Sequence, residues 1–148
     1  MRTYLRFAAM IGTSTIIMFG LMYLNTYELT DVFFSETRVY MALLMGAAMA
    51  ITMLAFMLNM HQNRRVNIGI FAGSAVVFVL ALWLVRSQTT IEDVSWMKAM
   101  IPHHSIAILT SERANLSDPR VRELASQIIE SQRREIKEMK ALINDLER

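Results

Sequence analysis

Three uninterrupted apolar runs limit what this chain can become. Leu5 to Leu24, Val39 to Met60 and Asn67 to Val85 carry no charged residue beyond Arg6 at the start of the first. A helix needs roughly 20 apolar residues to cross the hydrocarbon of a bilayer. Lipid offers no partner to backbone amides and carbonyls, so each run is expected to be a transmembrane α-helix. The first run follows Arg2 and Arg6, as a signal peptide would, but it is long and "LMYLNTYELT" supplies bulky residues where a cleavage site needs small ones. It reads as a retained anchor.

Charge divides the chain at the end of the third run. Residues 1–86 hold six arginines and three acids, and residues 87–148 hold nine basic and ten acidic groups, for net charges of +3 and −1. A membrane domain over 1–86 and a salt-rich extramembrane domain over 87–148 are expected. Basic residues in short loops stay cytoplasmic. Arg2, Arg6 and the "HQNRR" connection therefore place the N-terminus and the second loop inside. The acidic first loop, "NTYELTDVFFSE", and the region after Ser87 then lie outside. In a bacterium that is the periplasmic side of the inner membrane.

The region after Ser87 reads as a helical hairpin, which makes the fold class all-α. "TIED", Thr90 to Asp93, resembles a capping box opening a helix that runs to about Ala114. In "NLSDPR", Asp118 is the expected N-cap and Pro119 the first residue of a second helix, where its missing N–H costs nothing. That helix runs to about Leu146. Val121, Leu124, Ile128, Met139, Leu142 and Leu146 follow the spacing of a face that buries itself, interrupted by Gln132 and Glu135.

Inside the first of these helices lies "WMKAMIPHHS", with two of the chain's three histidines side by side after a proline. At 100° per residue, Met97, Met100 and His104 fall within about 60° of one another, with Ile101, Ala107 and Ile108 on the same side. His104 should point inward and His103 toward the edge. Pro102 cannot bond the Lys98 carbonyl, so a kink or widening is expected there. A turn centred near Leu116 would bring Gln132, Glu135 and Met139 beside Met97, Met100 and the histidines. Thioether and imidazole together suit copper(I) better than zinc, magnesium or calcium. A di-iron carboxylate site wants Glu-x-x-His, and Met100 stands three residues before His103. The other reading of the same residues is a buried polar network of His104 with Glu135 or Gln132 that sets the register of the hairpin.

"MIPHH", "DPRVRELA" and "IIESQRREIKEM" together make about 50 residues of this region resemble the bacterial domain-of-unknown-function family 305 (DUF305), a ferritin-like, copper-associated helical family. The resemblance implies copper binding by His103, His104, Met100 and Met139, with Gln132 and Glu135 at family positions; Thr110 stands where many members have methionine. It also implies a four-helix bundle. One hairpin is half of that, so a homo-oligomer, dimer or higher, is expected to complete it. The implied role is non-enzymatic copper handling beside a copper-handling partner protein. A structural or partner-binding helical module is the alternative.

The membrane part has features similar to the eukaryotic copper-transporter family: three spans, Met41, Met45, Met49, Met53 and Met57 in the second, and Gly69 and Gly73 in the third. Four-residue steps drift about 40° each, so these methionines sweep around the helix and read as packing residues. The glycine pair is expected to mark a close helix contact. There is no cysteine and no glycine-rich phosphate loop. Arg120, Arg122, Arg133 and Arg134 are interleaved with acids as a solvated face rather than a nucleic-acid surface.

Overall fold

The computed structural model describes residues 2–148. Its five α-helices are α1 (Arg2–Leu21), α2 (Glu36–Phe56), α3 (Arg64–Ser87), α4 (Asp93–Arg113) and α5 (Pro119–Leu146), with 3-10 turns at Leu29–Asp31 and Leu58–Met60. No strand occurs among the described residues. The all-α expectation holds, and α1, α2 and α3 are each long and apolar enough to cross a membrane. Two compact units form. One comprises the chain up to Met22 with Thr37–Thr90, the other Tyr23–Glu36 with Ile91–Arg148.

In the first unit, Phe7, Ala50 and Leu54 form a small core joined by Met10, Ile11, Met53, Met57, Ile70 and Phe71. Helix α3 starts three residues before the expected span because the Asn63 side chain accepts from the amides of Arg65 and Val66. Helix α2 stops at Phe56 rather than Met60, where the chain tightens into the 3-10 turn that delivers His61. The close glycine contact falls elsewhere than expected. A Cβ at Gly69 or Gly73 would meet nothing within 4 Å, whereas one at Gly46 would run into the Thr15 side chain. Gly69 and Gly73 instead line an open apolar groove with Gly12, Gly46 and Ala47.

The second unit is built on α4 and α5. Met97, Ile101, Ile108, Ile136, Met139 and Ile143 are buried together, with Val94, Met100, Ile129 and Phe33 packed against them. Each large apolar side chain buried this way contributes about 1.5–3 kcal/mol. Asp118 caps α5 by accepting from the Arg120 amide at 2.8 Å, and Pro119 takes the first turn, as expected. The capping box at Thr90 does not form. Helix α4 begins at Asp93 with Glu92 at its N-cap and no side-chain cap, and the Thr90 hydroxyl meets Tyr40 Oη at 2.9 Å within the first unit.

The expected stripe of α5 is only partly its interface. Met139 is buried, but Val121, Leu124, Ile128, Leu142 and Leu146 are exposed, and Ile136 and Ile143 take the core positions. The apolar face of α5 spans about 140° at 100° per residue, more than one neighbour covers. The ion pairs Lys98–Glu147 and His104–Glu135 set the register, so Met97 and Met100 lie further along α5 than a hairpin folded tightly at Leu116 would put them.

What closes the covered side is the loop that joins α1 to α2. Asp31, 4% exposed, accepts from the Ser105 hydroxyl at 2.7 Å and from Lys140 Nζ at 2.6 Å. Ser105, fully buried, accepts in turn from the Tyr27 amide at 2.8 Å. Phe33 adds its ring to the core, and Arg133 lies 5.9 Å over the Tyr27 ring.

The glycine geometry is checked by substitution. Gly46→Ala should destabilise the protein in detergent by about 1–3 kcal/mol, because Thr15 must give way and lose its bond to the Ile11 carbonyl. Gly69→Ala and Gly73→Ala should leave thermal stability unchanged or raise it. Equal losses at all three would contradict the packing described.

Candidate functional site

Helix α4 runs unbroken through Pro102, which is buried with Ile101 and Ser105. Adjacent residues on a helix point about 100° apart. Ser105 therefore faces the loop while His104 faces the opposite edge of the α4–α5 interface. His104 is half-buried there and His103 is exposed, their rings 6.1 Å apart between centroids. His104 is turned partly inward, as expected, whereas His103, expected at the edge, is exposed.

The hydrogen bonds of His104 define its state. Nδ1 lies 2.9 Å from the Met100 carbonyl oxygen, which only accepts, so Nδ1 carries a proton. Nε2 lies 2.8 Å from Glu135 Oε2. The other Glu135 oxygen accepts from the Ser131 hydroxyl at 2.7 Å. That hydroxyl first, and the imidazole second, hold the Glu135 carboxyl below its usual range against a smaller opposing effect of desolvation. Nδ1 thus faces the Met100 carbonyl and Nε2 faces the Glu135 carboxylate, and the two side chains form a histidine–carboxylate pair.

The other expected ligands lie on the same two helices. Met97 and Met139 belong to the buried core, and Met100 packs against that core while its carbonyl faces His104. Gln132 is half-buried, close to one turn before Glu135 on α5. Among the described residues no three His, Asp or Glu side chains converge as a metal-ligand group. The donors fit a soft cation only in part. His103 is open, Met100 is half-buried beside it, and Nε2 of His104 becomes a donor of electrons only when Glu135 releases it. Sequence reasoning missed Ser131, the first influence on Glu135, although its place four residues before Glu135 on a helix could have shown it. It also missed Asp31, Ser105 and Lys140. Asp31 and Lys140 are 109 positions apart, and no local pattern links them.

Fold and site together define an all-helical chain with three helices apolar enough to span a membrane and a helical hairpin whose open edge carries a histidine–carboxylate pair. Residues 84–147 match the family model described as "Domain of unknown function (DUF305)". The chain is similar to an uncharacterized protein of Acanthamoeba polyphaga mimivirus, with 37% identity over 71 residues, 47% of each chain. It thus spans about half the length of that curated relative. No solved structure matches it.

The His104–Glu135 pair has a pH signature. A carboxyl with a lowered folded-state pKa stabilises the fold above its ordinary value and loses that contribution as pH falls through the folded value. Stability from Glu135 should therefore be present at neutral pH and disappear as the medium is acidified below about pH 4. In a carboxyl-carbon NMR titration, Ser131→Ala should raise the Glu135 pKa. An unchanged titration would remove Ser131 from the site.

Proposed function

We propose that this is a membrane-anchored copper-binding protein whose hairpin takes up copper(I), in preference to copper(II), in copper homeostasis or handling. The reading is carried by one observation: His104, with Nδ1 tied to the Met100 carbonyl, sits half-buried at the edge of a methionine-containing core beside an exposed second imidazole. A backbone carbonyl on one ring nitrogen is the usual way to orient a histidine whose other nitrogen binds a metal. His104, His103 and Met100 would hold the ion, with Met97 and Met139 behind them in the core. Bound there, it would supply a soft Lewis-acid centre and no hydrolytic chemistry. The chain's own contribution is to position the imidazoles on a rigid helix, to keep Nε2 occupied by Glu135 until the site is taken, and to let Ser131 retain the carboxylate afterwards.

The arginine distribution supports a bacterial inner-membrane protein with a cytoplasmic N-terminus and a periplasmic hairpin. The packing of the first loop on the hairpin supports a shared side for the two, as an odd number of spans requires. Val121, Leu124, Ile128, Leu142 and Leu146, exposed along α5, support assembly with a second copy as the other half of a four-helix, ferritin-like bundle. A second reading, a structural or partner-binding module with a core histidine, is favoured by the fact that His104 already satisfies both ring nitrogens within the chain.

Melting of the full chain in detergent separates the two. A ligand that binds only the folded state raises its stability in proportion to the logarithm of concentration over Kd. Anaerobic copper(I) should raise the melting temperature of the wild type, less so for Met97→Ala, and least for His104→Ala. A wild-type melting temperature indifferent to copper(I) leaves only the structural module.

A further inference from the structure

Arg133, Lys137 and Lys140 follow one another along α5 at steps of four and three, which puts them within about 60° of one another on the helix. In the second unit this basic stripe lines an open cleft of about 520 Å³, shared with Tyr27, Glu28 and Asp31 of the first loop. Ile108 and Ile136 of the core also reach it. The cleft is distinct from the edge that carries His103 and His104.

Two of the three cations are held in place. Lys140 Nζ donates to the buried Asp31 carboxylate at 2.6 Å. Arg133 pairs with Glu112 and lies 5.9 Å over the Tyr27 ring, while Glu112 also bonds the Tyr27 hydroxyl. Each keeps unused N–H groups, since a guanidinium has five donors and an ammonium three. Lys137 is exposed and has no ion pair or hydrogen bond among the described residues. Glu28, also exposed, accepts from the Thr30 hydroxyl at 3.0 Å and pairs with no cation among the described residues. The charges left uncompensated in the cleft are therefore one of each sign.

A simple anion drawn to Lys137 would meet repulsion from Glu28, whereas a zwitterion satisfies both. The anionic end is matched to phosphate, because the spare donors of one planar guanidinium and two ammonium groups exceed what the two oxygens of a carboxylate can use. With Arg133 and Lys140 fixed by their carboxylates, little ordering entropy opposes binding. Tyr27 and Glu28 stand six and seven positions after Leu21, the last residue of a helix apolar enough to cross a membrane, so the loop that lines the cleft is tied covalently to the end of that helix. We propose that the cleft binds a zwitterionic phosphoester of the phosphoethanolamine type, its phosphate on Lys137 with the spare donors of Arg133 and Lys140, its amine on Glu28. A lipid headgroup and a soluble phosphodiester share this chemistry. The proposal is independent of copper binding by the hairpin.

The test is calorimetric titration of the full chain in uncharged detergent with glycerophosphoethanolamine, with glycerophosphoglycerol, which has the same phosphodiester and no amine, and with the short-chain diacyl lipids that carry these two headgroups. One ethanolamine phosphoester per chain is expected to bind, at least about tenfold tighter than its glycerol counterpart. Lys137→Ala should weaken that binding at least about tenfold, the loss of one charged hydrogen bond. Glu28→Gln, which keeps the shape and removes the charge, should erase the preference for the amine. Both side chains are exposed, so neither substitution touches the core. Tighter binding of the diacyl form than of the free phosphodiester assigns the site to membrane lipid, and equal or weaker binding assigns it to a soluble ligand. The proposal is overturned if the wild type binds neither ethanolamine form, if Lys137→Ala binds as the wild type does, or if the preference for the amine survives Glu28→Gln.

Discussion

A single buried carboxylate organises the second unit. Asp31 lies in a loop between two membrane-type helices, yet its oxygens are taken by Ser105 on α4 and Lys140 on α5. Burying a charge is costly unless it is paired and hydrogen-bonded, so the carboxylate holds loop and helices in one arrangement. A two-helix hairpin alone covers too little apolar surface for a stable core. The loop supplies a third wall, with Phe33 in the core and Tyr27 tied to Ser105. Because the loop closes one side of the hairpin, the other side is left open, and that is where His103, His104 and Glu135 lie.

The two sides of α4 are separated by one residue of sequence. Ser105 serves the wall and His104 serves the edge. A change at either position therefore reaches the other through the same turn of helix, beside a proline that has already removed one backbone bond. The two half-buried or buried histidines of the chain share a further device, a methionine carbonyl four residues earlier that fixes the imidazole tautomer. What differs is the partner of Nε2: Glu135 at His104, and none among the described residues at His61.

Most of the fold was legible because its signals are local. Uninterrupted apolar runs, the Asp118–Pro119 helix start and the histidines on the inward edge of α4 all depend on residues within a turn or two of each other. The Thr90 cap failed because a capping pattern competes with other partners, and Tyr40 holds that hydroxyl. Gly69 and Gly73 have the spacing of a close contact, but spacing says nothing of which helix comes near; Gly46 against Thr15 carries the contact instead. The stripe on α5 was right about which face is apolar and wrong about which part of it is covered, because the covering loop lies about 100 residues away. In the site, His104 with Glu135 follows from helix geometry, whereas Ser105 with Asp31 requires the tertiary structure.

The dependence of the hairpin on that loop is open to direct measurement by a double-mutant cycle between Asp31 and Ser105, read as unfolding free energy of the full chain in detergent. Asp31→Ala and Ser105→Ala each leave a buried partner unsatisfied, and the double variant removes both. The structure predicts a coupling energy of about 1–3 kcal/mol, with the double variant little worse than either single one. Additive losses, with no coupling between the two positions, would show that the loop does not hold the hairpin and would contradict the account of how its open side arises.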